Sequence, residues 1–97
     1  MVRAELTSTS LTEANCSGAD FSEAEARADF ADADLRNATF VNANLDGALL
    51  TQADLRGADF RFANLGRLVS VVEADFAGAN LTGARIVENH LGQARHI

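Results

Sequence analysis

A spacing of five residues runs through this chain and constrains its fold more than any other feature. From Ala4 the sequence divides into AELTS, TSLTE, ANCSG and ADFSE. It continues as ADFAD, ADLRN, ATFVN, ANLDG, ALLTQ, ADLRG, ADFRF and ANLGR, and later as ADFAG, ANLTG, ARIVE and NHLGQ. The third place holds Leu, Phe or a near equivalent, the first is Ala in nearly every unit, and the second is usually Asp or Asn. On a helix, steps of five advance about 140° beyond a full turn, so the large residues would scatter around the axis. On a strand, an odd step throws successive large residues onto opposite faces. A coil that turns a corner at every unit satisfies the spacing. The first and third places then point inward and the other three outward; if each unit is one side of a square, twenty residues close one coil.

These A(D/N)LXX units resemble the pentapeptide-repeat family, and the resemblance covers residues 4–93. It implies an all-β chain: a right-handed quadrilateral parallel β-helix, or β-solenoid, of slightly under five coils, with residues 1–97 as a single domain. At a layer spacing of ~4.8 Å the rod would be about 23 Å long. The composition suits such a narrow tube. Hydrophobic residues make up 47% of the chain and aromatics only 6%, every one of them Phe, while Ala fills 19 positions. Units four apart should stack, which places Phe21, Phe40, Phe60 and Leu81 in one interior ladder. Gly18, Gly47, Gly57, Gly78 and Gly83 fall at the fifth place, where tight turns are expected. Two units break step: 24–27 is one residue short and 68–73 one long, read as a short corner and a bulge. The pattern degrades over 89–97.

The charge excludes some roles and suggests others. Fourteen acids against eight bases, all Arg, give a net charge of −6, a poor match for direct nucleic-acid binding. No run approaches membrane-spanning length, and no basic stretch followed by an apolar region opens the chain, so a cytoplasmic location is expected. One Cys permits no internal disulfide. Asp34, Asp54 and Asp75 should stack on one side beside Arg36 and Arg56. Arg neighbours oppose a cation, and the Gly-Gly-x-Gly-x-Asp calcium pattern is missing, so a solvated charge ladder with Asp and Asn bonding local backbone is the expectation. Neither a metal nor another cofactor is expected.

Catalysis has almost no support. His90 and His96 lie in the degraded end, and Cys16 takes a large inward place as a small hydrophobe. The Thr residues form no regular column, which excludes an ice-binding face. All of the net charge lies in residues 1–48, with nine acids and three bases. Such an acidic end could imitate DNA phosphate through Asp20, Asp34 and Asp54. The resemblance includes relatives that mimic DNA and inhibit DNA gyrase, a type II topoisomerase. Apolar residues in outward places, Leu49, Phe62 (beside the face of Val41) and Val69 to Val72, are candidate protein contacts. Because the repeats begin close to the start and no capping helix follows them, either homodimerisation or a place in a larger protein is expected. The leading expectation is a non-enzymatic structural or protein-interaction module with an unknown protein partner, and the gyrase-directed mimic is the alternative.

Overall fold

Each backbone N–H of the five-residue unit has its own acceptor, and the coil follows from that accounting. The computed structural model describes residues 10–66 and 73–86. In the unit Ala33–Asn37, the Asp34 N–H donates back to the Ala14 carbonyl of the preceding coil (2.9 Å). The Leu35 and Asn37 N–H groups donate forward to the carbonyls of Asp54 (2.8 Å) and Arg56 (3.0 Å). The Ala38 N–H closes the corner on the Leu35 carbonyl (3.1 Å). That leaves the Arg36 N–H, which donates to Oδ1 of Asp34 (3.2 Å). The same side-chain cap recurs at Asn15, Asp20, Asp29, Asn44, Asp54, Asp59, Asn64, Asp75 and Asn80. The preference for Asp or Asn at the second place is therefore a turn requirement, met by an oxygen two residues before the N–H it accepts from.

The fifth place bends the chain with a left-handed residue. Gly18, Gly47, Gly57, Gly78 and Gly83 sit there at φ +70° to +85°. Eight non-glycine residues among those described also take φ of +57° to +61° at this place: Glu13, Glu23, Asp32, Asn37, Asn42, Gln52, Phe62 and Glu73. A positive φ at the third residue of a four-residue turn is the type II pattern.

Successive coils join through single-residue parallel bridges that define four walls. Wall 1 carries Ser10, Asp29 and Leu49. Wall 2 carries Asn15, Asp34, Asp54 and Asp75, and wall 3 carries Asp20, Thr39, Asp59 and Asn80. Wall 4 carries Glu25, Asn44, Asn64 and Arg85, and there pairing lengthens into β1 (Asn64–Leu65) and β2 (Arg85–Ile86). Along wall 4 the step from coil to coil is 19 residues between Glu25 and Asn44, then 20 between Asn44 and Asn64. On the first corner it is 21 between Gln52 and Glu73. The short unit and the long unit thus change the coil length while the columns stay aligned.

The short unit 24–27 forms a tight corner. The Ala28 N–H reaches the Ala26 carbonyl (2.8 Å) across Arg27 alone, where a regular corner such as Phe30 to Ala33 spans two residues. Ala26 holds the inward place that Leu45 and Leu65 hold on the same wall, and all three are buried. The long unit falls largely on residues 67–72, outside the described residues. Its extra residue is visible in the step of 21.

The core is a tube filled by one large and one small side chain per unit. The rings of Phe21, Phe40 and Phe60 stack with centroids 4.9 and 5.0 Å apart, and Leu81 continues the column, partly buried. Phe30 meets Phe21 and Phe40 edge-on, each at 5.9 Å. Phe76 tilts against Phe60 at 5.8 Å. Offset-stacked and edge-on pairs are the favoured aromatic arrangements, and each buried Phe or Leu contributes about 1.5–3 kcal/mol by transfer. Leu11 and Cys16 are only partly buried at the N-terminal side of the described coils.

Candidate functional site

Wall 2 is a ladder of ion pairs. Arg36 places Nε 2.9 Å from Oδ1 of Asp34 and an Nη 2.7 Å from Oδ2, and Arg56 grips Asp54 in the same fashion at 2.8 and 2.6 Å. The rungs touch each other, since Nε of Arg36 lies 3.9 Å from Asp54. On wall 3, Arg61 repeats the grip on Asp59 at 2.9 and 2.8 Å. The Arg36 side chain is the main cause holding the Asp34 carboxyl at about 2, below the ordinary Asp range, with the capped Arg36 N–H adding to it. Arg56 and Arg61 lower Asp54 and Asp59 for the same leading reason, and each of the three guanidinium groups is raised in return. Asp20 is lowered by Ser22, through its side chain first and its N–H second.

Wall 4 carries a ladder of side-chain amides that ends on a carboxylate. The Asn44 amide donates to Glu25 (3.0 Å), and the Asn64 amide donates to Asn44 Oδ1 (3.2 Å), while each Oδ1 also caps its own turn. At the corner between walls 4 and 1, the Arg27 side chain lies over Gly47. Its Nε donates to the Asp46 carbonyl (2.9 Å), and its guanidinium stands 3.8 Å from that carboxylate.

The corner between walls 1 and 2 is an open acidic groove lined by Asp32, Gln52, Asp54, Arg56, Glu73 and Asp75. Gln52 bridges across it to Glu73 (3.0 Å). Among the described residues, no group of three or more His, Cys, Asp or Glu is arranged to hold a metal ion. Cys16 is partly buried, and burial first, then the Asp34 charge, pushes its thiol up.

The sequence candidates separate in space. Asp34 and Asp54 share wall 2, whereas Asp20 stands on wall 3. Leu49 is half-buried on wall 1, and Phe62, 60% exposed, is at the corner between walls 3 and 4. The two apolar residues therefore do not form one patch. Val41 occupies the column of Arg61 on wall 3, while Phe62 follows Asn42 and precedes Gly83 in the corner column. Its ring lies over Gly83 closely enough that a Cβ there would fall 2.5 Å from it. Val69, Val72, His90 and His96 lie outside the described residues. Spacing alone did not reveal that Phe62 holds φ +61°. The only signal was its place in the unit, the fifth, where Gly recurs.

The family described as pentapeptide repeats matches the chain over residues 1–27 and 28–67. The crystal structure of alr5209, a pentapeptide repeat protein from Nostoc PCC 7120, is 36% identical with a TM-score of 0.64. That match covers 87% of this chain and 61% of that one. Rfr23, a pentapeptide repeat protein from the cyanobacterium Cyanothece 51142, is 30% identical with a TM-score of 0.69, covering 92% of this chain and 60% of that one. The chain thus spans about 60% of the length of each. No curated protein matches the sequence. With these likenesses the coil takes its hand: it is a right-handed quadrilateral β-helix.

Proposed function

The chain belongs to the pentapeptide-repeat family, and on that premise we propose that it acts as a rigid, non-enzymatic scaffold whose outer columns dock another protein. The supporting observation is the constancy of those columns through coil steps of 19, 20 and 21 residues, which fixes outward side chains one layer apart, ~4.8 Å. Such a surface offers pre-organised contacts that cost little conformational entropy on binding. The cytoplasm, where thiols stay reduced, suits its single partly buried Cys16. Self-association of two copies, side by side or end to end, belongs to the same reading, and sedimentation at high concentration tests it.

Photo-crosslinking tests the docking role. A reactive residue is placed in turn on an outward place of each wall, in the host cell. The scaffold reading expects one recurrent partner from one wall or corner and silence from the opposite wall. Equal, sparse labelling from all four walls would count against it. The gyrase-directed reading keeps less support, because Asp34 and Asp54 are each gripped by an Arg and do not present a continuous anionic stripe. Inhibition of gyrase supercoiling that weakens when Asp20, Asp34 and Asp54 are neutralised would restore it.

A further inference from the structure

In regular corners the fourth-place carbonyl accepts an N–H from the fifth place of the preceding coil. Arg36 accepts from Gly18 in this way, Val41 from Glu23 and Arg56 from Asn37, at 2.8–3.0 Å. The short unit 24–27 has no fifth place, so no such N–H precedes Asp46. The Arg27 side chain takes over the task. Its Nε donates to the Asp46 carbonyl (2.9 Å), and its stem lies over Gly47, where a Cβ would fall 3.0 Å from Cγ of Arg27. Asp46–Gly47 is also the one step in the chain at which an Asp or Asn precedes Gly. Such a step is chemically labile, because Gly has no side chain to hinder attack of its nitrogen on the preceding carboxyl carbon.

The attack closes a five-membered ring, which requires the Gly47 nitrogen to nearly eclipse Cβ about the Asp46 Cα–C bond. The turn is set against it. The Ala48 N–H closes on the Leu45 carbonyl (2.9 Å) with Gly47 at φ +85°, the type II pattern. The first central residue of that turn has ψ near about +120°, which leaves the nitrogen about 120° from eclipse. Rotating the peptide swings the Asp46 carbonyl off Nε of Arg27. The Arg27 side chain is half-exposed and lifts away without opening the core.

We propose that Asp46–Gly47 is a spontaneous modification site and that the Arg27 side chain is its gate. With Arg27 seated, the turn is held in the unreactive conformation. With Arg27 lifted, the Gly47 nitrogen bonds to Cγ of Asp46, and the carboxyl hydroxyl leaves as water with the amide proton. Water, the sole co-reactant, then opens the succinimide. Opening at Cγ restores Asp46, and opening at the main-chain carbonyl gives isoaspartate. The isoaspartyl link routes the backbone through Cβ and Cγ and adds one atom to the corner, so the modification records that this corner has opened.

Two measurements on the full chain test it. The first needs no variant. Amide hydrogen exchange at Ala48 should be at least about tenfold faster than at Ala38 and Ala58, which close regular corners. Equal or slower exchange at Ala48 would overturn the proposal. The second is uptake of heavy oxygen from labelled water at neutral pH, read by mass spectrometry on the peptide 37–56, with fragmentation locating isoaspartate at Asp46. Arg27→Met keeps a stem over Gly47 but removes the donor, and should speed the uptake at least about fivefold over the parent chain. That rate should stay flat in urea well below the unfolding midpoint, because local opening exposes little surface. An unchanged rate in Arg27→Met would sink the gate. A rate that climbs with urea in step with the unfolded fraction would do the same, by leaving Arg27 a purely structural role.

Discussion

Leu49 occupies the second place of its unit, where ten other described units place an Asp or Asn that caps the N–H two residues on. The Leu49 side chain has no oxygen to accept from the Thr51 N–H. Leu49→Asn should therefore add a cap and raise stability by about 0.5–1 kcal/mol, read as the urea midpoint. Acid should act through the Asp–Arg rungs. Asp34, Asp54 and Asp59 are all depressed in the folded chain, so their contribution is complete above the ordinary unfolded Asp value of about 4 and is lost as pH falls through the folded values. For Asp34 that places the loss between about pH 4 and about 2. The urea midpoint should be flat from neutrality to about pH 5 and fall below about 4. Asp34→Asn keeps the capping oxygen but removes the charge, and should flatten that slope.

The corner is the element in which sequence and structure differ most in legibility. The Ala, large-residue and Asp/Asn places were readable because each meets a separate physical demand: close approach of walls, core filling, and a cap for one N–H. The left-handed fifth place was readable only where it is Gly. Glu13, Gln52 and Phe62 adopt the same φ without a sequence mark, because neighbouring coils over-determine the turn. Gly57→Ala should cost about 1–2 kcal/mol, since it combines φ +71° with a side chain driven into Oδ1 of Asn37. The short unit shows the same coupling. Ala26 matches a corner that is one residue tighter, so Ala26→Leu should overpack that layer and cost about 1–3 kcal/mol, measurable by chemical denaturation.

At the scale of the molecule, stability is shared between neighbouring coils, as in other solenoids, and the Phe21–Phe40–Phe60 stack is its central seam. The fold was legible in the sequence because one short period dictates both inside and outside. The interaction surface was less so. Linear spacing did not show that Leu49 and Phe62 face different sides, nor that Arg side chains fold back onto Asp34 and Asp54 and close their charges. Those facts arise from which outward place, and which side of the coil, each residue takes. The register of the coils decides which side chains share a wall, and nuclear Overhauser contacts along wall 2 test that register most directly. Contacts between backbone protons should join Asn15 to Asp34, Asp34 to Asp54 and Asp54 to Asp75, with steps of 19, 20 and 21 residues. Pairing of Asp54 with Ala74 instead, or short-range helical contacts across these units, would contradict it.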